Sequence, residues 1–317
     1  MPCGEGYAER MLPILLKTLP FFALIGLGYW AGRTRFFTQE ATAYLTKFVF
    51  YFALSAMIFR FAANLPLAEI WDGQLVLAYL LGTVVVYILA AGVGFMRQMD
   101  LQTNAIESQC AVIGNVGFLG LPMLGLLFGP AAIGPVMLVL ATDLIVFSSL
   151  IVTLITISRD GRMQLSILRI IGRGLITHPM IVSMSLGLIW SGLQIPIPEP
   201  MNDFLGILGG AATPGALFAI GASLATKSAE RIQIAGWLSF CKLGLHPAAV
   251  ALSAIYLFEV EAFGAAMIIA CAAMPVAGNV YILAQHYGIA PQRVSGTIFV
   301  STVISVVTLT AVIAWVS

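Results

Sequence analysis

The sequence predicts an all-α membrane protein with ten transmembrane helices, built as two inverted five-helix repeats. Three observations lead to this fold class: the composition, the number of long apolar runs, and the distribution of basic residues between the loops. Of the 317 residues, 60% are hydrophobic and 9% are charged, and the mean hydropathy is +1.00. A soluble globular domain carries about 25% charged residues. A water-soluble fold of this length could therefore not bury so much apolar side chain.

Ten segments are apolar and long enough to cross a bilayer, which takes about 20 residues. They cover approximately 12–32, 41–61, 74–96, 104–128, 131–157, 175–194, 203–225, 235–257, 261–286 and 294–316. The fourth and ninth are interrupted by Gly, Pro and Asn, and the seventh is rich in Gly, Ala and Pro. The N-terminus lacks the basic region and cleavage site of a signal peptide, so we expect the first helix to be retained.

Basic residues lie mainly in the odd-numbered connections between these spans. Those connections carry Arg33, Arg35, Arg97, Arg159, Arg162, Arg169, Arg173, Lys227, Arg231 and Arg293, whereas the other side carries Arg10, Lys17 and Arg60. Lys and Arg are enriched in cytoplasmic loops. The odd-numbered connections are therefore predicted to be cytoplasmic, with both termini outside and the chain multi-pass in the plasma (bacterial inner) membrane.

A long basic connection after the fifth span divides the chain into two halves. The predicted division is a first five-helix repeat over 1–157, a basic cytoplasmic linker over 158–174 and a second repeat over 175–317. An odd number of spans in each half forces the halves into opposite orientations. Inverted repeats of this kind are common in secondary transporters.

The interrupted spans have polar and helix-breaking residues at corresponding depths. The fourth contains "GNVGFLGLP", with Asn115, Gly117 and Pro122, and the ninth contains "IIACAAMPVAGNVYILAQ", with Pro275 and Asn279. An unpaired backbone group in hydrocarbon costs several kcal/mol, so a break survives only where its freed groups find partners. Half-helix N-termini attract anions and loose carbonyls attract cations, which predicts a central binding site. The alternative is that these residues serve only packing and kinks.

Several ionisable residues fall within the predicted spans. Asp143 lies near the midpoint of the fifth span, where a carboxylate must be paired, hydrated or protonated, so it is a candidate proton carrier or a helix-packing residue. Lys242 could attract an anion, pair with Asp143 or Glu107, or extend to the cytoplasmic face. His246 lies one turn beyond Lys242, where it could contact substrate or cap a kink. Glu107 could line an entrance or be a solvated helix-start carboxylate.

The remaining chemistry argues against an enzyme. Cys3, Cys110, Cys241 and Cys271 have no paired spacing, so we interpret them as small core residues and predict no metal or other cofactor. The sequence contains no HExxH, GxGD or GxSxG motif, no Rossmann or phosphate-loop pattern, and no face for nucleic acid. An intramembrane enzyme or a sensor is thus a disfavoured alternative.

Four motifs in order resemble the auxin efflux carrier family, which includes the plant PIN-formed carriers and bacterial carriers of malonate, malate and similar acids. They are "GNVGFLGLP" at 114–122, "AATPGALFAIGASLA" at 211–225, "KLGLHPAAV" at 242–250 and "AAMPVAGNVYILA" at 272–284. The resemblance implies a scaffold of spans 1, 2, 6 and 7 and an elevator-type transport bundle of spans 3, 4, 5, 8, 9 and 10. It also implies that spans 4 and 9 cross near their prolines, and that Thr213 and Pro214 form a scaffold motif.

The resemblance implies a secondary or facilitative transporter of small organic anions that works by alternating access. Substrate would be held by Asn115, Gly117, Pro122, Pro275, Asn279 and Lys242, and any coupling to H⁺ or Na⁺ would involve Asp143, His246 and Glu107. The plant relatives carry an Asn–Pro pair at each crossover, whereas here each asparagine is separated from its proline. A homodimer through the scaffold helices is implied as well. The alternative is a sodium- or proton-coupled cation carrier, although the paired acids of a sodium/proton exchanger are absent.

Overall fold

The protein is described from a computed structural model, which covers residues 5–65, 72–160, 165–225 and 232–316. Within these ranges all regular secondary structure is helical, apart from one isolated antiparallel bridge between Gly114 and Val276. The helices are α1 Glu5–Arg33, α2 Gln39–Ala63, α3 Gly73–Met96, α4 Leu101–Val112, α5 Val116–Phe128, α6 Pro130–Arg159, α7 Leu165–Thr177, α8 Pro179–Gly192, α9 Glu199–Leu224, α10 Ile232–Leu257, α11 Ala262–Ala272, α12 Gly278–Tyr287 and α13 Pro291–Val316.

Seven of these helices are long and apolar enough to cross a membrane, and an eighth span results if α7 and α8 are counted as one bent span. The predicted fourth and ninth spans are not continuous helices. Each is a pair of short helices separated by a few extended residues: α4 with α5, and α11 with α12. The membrane-protein fold class is confirmed, while the count of ten spans and their inverted orientation remain predictions.

The structure shows a bend after the predicted linker and helix within it. The sixth span was expected to run unbroken over 175–194, but the chain bends by 67° between α7 and α8. Pro179 begins α8 and disfavours helical backbone at the preceding residue, and His178 accordingly has φ −75° and ψ 116°. Much of the linker is helical, because α6 extends into it and α7 begins at Leu165; residues 161–164 lie outside the described ranges.

The chain forms two compact units, each drawing on both halves of the sequence. One unit combines α3–α6 with α10–α13, and the other combines the part of α1 from Ala23 with α2 and α7–α9. This grouping follows spatial contact, so it does not test the division at 157 and 175, which concerns internal repetition. The candidate site lies in the first of these units, called unit 1 below, and the other is called unit 2.

Glycines set the helix spacing inside unit 2. A Cβ placed on Gly221 of α9 would overlap the backbone carbonyl of Ile25 in α1, and a Cβ on Gly187 of α8 would overlap the backbone of α2. Gly209 and Gly215 of α9 likewise face α2, against Met57 and Val49. Small residues let membrane helices approach to backbone contact, where van der Waals packing replaces the hydrophobic effect. Gly209 and Gly215, which lie near Pro214 in α9, therefore allow close helix packing inside unit 2.

Candidate functional site

The two helix interruptions of unit 1 meet and bond to each other. The Asn115 N–H donates to the Pro275 carbonyl at 2.8 Å, and the Ala277 N–H donates to the Ile113 carbonyl at 3.1 Å. Gly114 and Val276 lie opposite each other between these two bonds. The backbone groups of residues 113–115 and 275–277 thus hydrogen-bond to one another as a short antiparallel ladder. These two segments are called the crossing below. Helix ends at this depth would otherwise leave polar groups unpaired.

Further bonds fix the crossing to its surroundings. The Val276 N–H donates to Ser301 Oγ of α13 at 3.2 Å. The Asn115 carbonyl accepts from Leu119 and Gly120 at 3.1 and 3.0 Å, so it begins α5 directly after the crossing. The helices α5 and α12 therefore start directly after the two segments of the crossing, where the partial positive charge of a helix N-terminus favours an anion. Two N–H groups at these starts are already bonded, since Val116 donates to the Gly114 carbonyl at 2.8 Å and Val280 to the Ala277 carbonyl at 3.3 Å.

The predicted substrate residues lie at different distances from the crossing along the chain. Asn115 and Pro275 belong to it, Gly117 lies in the first turn of α5, and Asn279 lies in the first turn of α12. Pro122 does not flank the break as expected. It lies inside α5, after a five-residue π-helical segment, where its missing N–H is tolerated close to the helix start.

Asn279 presents an unsatisfied amide next to the start of α12. Its Oδ1 is buried and has no hydrogen-bond partner in the described part of the chain. Rotation of an amide exchanges its carbonyl and NH₂ ends. The same position can therefore offer a solute either an acceptor or a donor. Buried polar groups in folded proteins are usually hydrogen-bonded, so this amide is a candidate for contact with a solute.

Lys242 caps a helix end at the crossing. Its Nζ donates to the carbonyl of Ala272, the last residue of α11, and the side chain is fully buried. A Cβ built on Gly114 would lie 3.2 Å from this nitrogen, which places Lys242 directly against the other interruption as well. Cations are stabilised at helix C-termini. Of the alternatives, extension to the cytoplasmic face is wrong, and among the described residues no ion pair within 4.0 Å joins Lys242 to Asp143 or Glu107.

A hydrogen-bonded chain runs from Lys242 to α3. Lys242 Nζ lies 3.1 Å from His246 Nδ1, and His246 Nε2 lies 3.0 Å from Thr83 Oγ1. The single hydroxyl proton of Thr83 is donated to the Tyr79 carbonyl at 2.7 Å, so Thr83 must accept from His246. His246 is therefore protonated at Nε2, and its Nδ1 accepts from Lys242. His246 thus lies between Lys242 and Thr83, one turn from the lysine.

Asp143 is connected to the same region through Tyr79. The Tyr79 hydroxyl donates to Asp143 Oδ1 at 2.9 Å, and the Tyr79 ring lies edge-on to the His246 ring at 5.8 Å. Asp143 is only 3% exposed, and its Oδ2 has no partner in the residues that the structure covers. Asp143 begins a π-helical segment of α6, and Lys242 lies in another within α10. Segments of this kind are frequent at functional sites.

Glu107 lies elsewhere in unit 1, in an ion-paired cluster. Its two oxygens contact Arg97 at 2.9 Å and Arg293 at 2.6 Å, and the residue is 4% exposed. The interpretation as a solvated helix-start carboxylate is therefore wrong. One buried carboxylate instead joins the end of α3, the middle of α4 and the start of α13. The bonds indicate a clamp between the two halves of the sequence.

The model of the family described as membrane transport protein, which is the auxin efflux carrier family, matches residues 13–313 of the chain. The chain belongs to this family. The resemblance drawn from the four motifs is thereby confirmed. The "Putative malonate transporter" of Rhizobium meliloti (strain 1021) is 29% identical over 306 residues, which cover 96% of each chain. The "Uncharacterized transporter YfdV" of Escherichia coli (strain K12) is 24% identical over 310 residues, 92% of this chain and 93% of that protein.

Thr213 and Pro214, the residues of the scaffold motif that the resemblance implies, lie in unit 2. Pro214 is exposed and Thr213 is half-buried, just after α9 makes a turn at Ala211. Pro214 has no N–H to donate to the carbonyl of Gly210, which accounts for the interruption of the helical bonding there.

Tyr79 and Thr83 were missed by the sequence analysis, although they link α3 to Asp143 and His246. A signal was available, because both are polar-tipped residues four positions apart in an otherwise apolar span and therefore share one helix face. Among the cysteines, Cys110, Cys241 and Cys271 are buried free thiols, whereas Cys3 lies outside the described residues. The described residues contain no group of three or more His, Cys, Asp or Glu that could hold a metal ion.

Proposed function

We propose that this member of the family is a secondary or facilitative transporter of small organic anions, mono- or dicarboxylates, and not an enzyme. The observation that carries the proposal is the crossing: two interrupted helices bonded to each other, each continuing into a helix N-terminus directly after it. Helix N-termini favour carboxylates and phosphates. The relative named for malonate supports a dicarboxylate as the first substrate to test.

Substrate binding is proposed to use the starts of the two helices that follow the crossing. The N–H of Gly117 in α5 and those of Gly278 and Asn279 in α12 would donate to a carboxylate. The amides of Asn115 and Asn279 would add side-chain donors, and the orphaned Asn279 amide supports this role. Pro275 shapes the crossing through its carbonyl, while Lys242 adds positive potential without leaving its helix cap.

Transport is proposed to proceed by alternating access between the two units. Each interrupted helix pair would count as one span, which together with the eight others gives the ten predicted spans. Unit 1 would be the moving bundle and unit 2, which contains Thr213 and Pro214, the scaffold and the surface for a homodimer. The odd-numbered connections would face the cytoplasm, with both termini outside the inner membrane, as the distribution of Lys and Arg favours.

Uptake into liposomes tests the proposal. The full chain is reconstituted and supplied with labelled malonate, malate and indole-3-acetate. Asn279→Leu should reduce affinity by about 10- to 150-fold, because a hydrogen bond to a charged group contributes about 1.5–3 kcal/mol. Gln285→Leu is the matched control, since Gln285 is on the same helix and its exposed side chain bonds to the hydroxyl of Tyr281. Absence of uptake for every acid, with a folded protein, would contradict the proposal.

A cation-coupled carrier is the second candidate. The observation that favours it is Asp143, whose Oδ2 is buried without a partner among the described residues and could take up H⁺ or Na⁺. We propose Asp143 as the coupling residue, with His246 setting the local hydrogen bonding. Stabilisation of the reconstituted protein by Na⁺ that disappears in Asp143→Asn would support sodium coupling. Acid uptake that neither moves protons nor responds to Na⁺ would instead indicate facilitated diffusion.

A further inference from the structure

Helix α7 does not run in the same direction as α8, the helix that follows it. It covers Leu165–Thr177 and meets α8 at an angle of 67°. A helix of this length is about 20 Å long, too short for the roughly 30 Å of bilayer hydrocarbon. With α8 along the membrane normal, the bend would turn α7 towards the plane of the bilayer, so that α7 advances only about 8 Å across it. This short advance completes the span begun by the roughly 21 Å of α8, and it places α7 at one surface of the membrane.

The residues of α7 are divided between two opposite faces. At 100° per residue, Arg169, Arg173 and Thr177 fall on one side, each one turn from the next. Leu168 and Leu175 fall on the other side. Both arginines are exposed, and Leu168 is 69% exposed. A large leucine surface next to charged groups is typical of a helix that meets apolar and polar surroundings at the same time.

The energetics exclude the two simpler environments. An arginine at the centre of the hydrocarbon costs about 2.5–3.5 kcal/mol on the scale of cellular membrane insertion, and α7 has two of them. Full exposure to water would leave the leucine face unburied, at about 25 cal/mol per Å² of apolar area. At the membrane interface both faces are satisfied, because leucine enters the acyl chains while arginine reaches the headgroup phosphates.

We infer that α7 is an interfacial helix that binds anionic phospholipid through Arg169 and Arg173. The charge complementarity is direct, since the described part of α7 carries two positive side chains and no negative one. Guanidinium groups bind phosphate by paired hydrogen bonds. Because α7 is joined to α8 within unit 2, lipid binding there would fix that unit at a constant depth in the bilayer. The inference depends on membrane location and not on the transported substrate.

The depth of α7 provides the first test. The full chain carries Leu168→Cys in a Cys3→Ser background, where Cys110, Cys241 and Cys271 are buried. It is labelled with a nitroxide and reconstituted in vesicles. The accessibility of the nitroxide to oxygen is compared with its accessibility to a water-soluble nickel chelate, and the ratio gives the depth of the label. We expect a depth of about 5–10 Å below the phosphate level. A label open to the nickel chelate, or one at the bilayer midplane, would overturn the inference.

Lipid selectivity provides the second test, with a fluorescent label at the same cysteine. Quenching by brominated phosphatidylglycerol is compared with quenching by brominated phosphatidylcholine in phosphatidylcholine vesicles. About 1 kcal/mol per arginine corresponds to roughly 30-fold enrichment of the anionic lipid for the pair. Arg169→Gln/Arg173→Gln should abolish the enrichment, while the matched double change Arg33→Gln/Arg35→Gln at the exposed end of α1 should preserve it. Equal quenching in all three proteins would overturn the role of the arginines.

Discussion

Replacing Lys242 with methionine tests whether this side chain holds the crossing together. The change removes the donor for the Ala272 carbonyl and for His246 Nδ1, both of which are buried. A buried acceptor left without a donor costs about 1–3 kcal/mol, so the two together lose about 2–6 kcal/mol. Part of this loss is offset, because the variant no longer has the desolvation cost of burying an ammonium group. We expect a net loss of about 2 kcal/mol.

Thermal unfolding in detergent measures this loss. A domain of 150–250 residues loses about 2–4 °C for each kcal/mol, so Lys242→Met should lower the Tm by about 4–8 °C. Lys47→Met removes the same atoms from an exposed site, where the ammonium lies 5.8 Å from the Tyr44 ring and contributes less than about 1 kcal/mol. Hydrogen exchange supplies a local readout, since the Asn115 and Ala277 amides of the crossing should exchange faster only in Lys242→Met.

Equal Tm values for the two lysine variants would refute the reasoning, because the buried cap would then contribute nothing beyond a surface cation. A lower Tm with unchanged exchange at the crossing would refute the assigned location of the effect. The outcome matters for the proposed site as well, since the half-helix N-termini are held in place by the same residues that Lys242 contacts.

Three further predictions use matched pairs or a single carboxylate, each followed by the shift in Tm. Gly221→Ala forces a Cβ into the backbone of the facing helix and should destabilise by about 1–3 kcal/mol, whereas Gly92→Ala meets open space and should stabilise slightly; equal shifts would contradict the close packing. Tyr79→Phe removes a bond to a carboxylate and should cost about 1.5–3 kcal/mol, whereas Tyr87→Phe removes a hydroxyl that has no partner among the described residues and should be neutral or stabilising. Glu107→Gln should cost about 1.5–3 kcal/mol by removing the charge to which Arg97 and Arg293 bond, since both arginines are partly exposed and stay hydrated, and a neutral result would show that the clamp is dispensable.

Local sequence predicted the interruptions because their cause is local. Asn, Gly and Pro at mid-span weaken a helix wherever they occur, so the breaks at 113–115 and 273–277 follow from the residue types at and near those positions. The hydrogen bonds between the two interruptions could not be derived in the same way. They join main-chain groups, which are the same at nearly every position, so the residue types do not show which groups pair. Lys242 shows the same limit: its charge and depth were evident, but its acceptor is a main-chain carbonyl thirty positions away.

The bend before α8 shows a different limit. Hydropathy summed over 175–194 suggests one span, because an average is insensitive to a single change of direction. The His178–Pro179 pair was the available signal, and it fixes the boundary by sterics. Glu107 illustrates the reverse problem, since a helix-start carboxylate is usually solvated, and only the fold brings Arg97 and Arg293 to it.

The crossing also gives a physical reason for the proposed binding site to coincide with a helix break. A break in hydrocarbon is tolerated only when its freed groups are bonded. Here the central carbonyls and N–H groups bond to one another, to Ser301 and to Lys242, so the interruption is stable without a ligand. Beyond those bonds, the side-chain Oδ1 of Asn279 has no partner among the described residues. A solute that binds there completes the hydrogen bonding of the break without having to hold it together, so it can leave again while the structure persists.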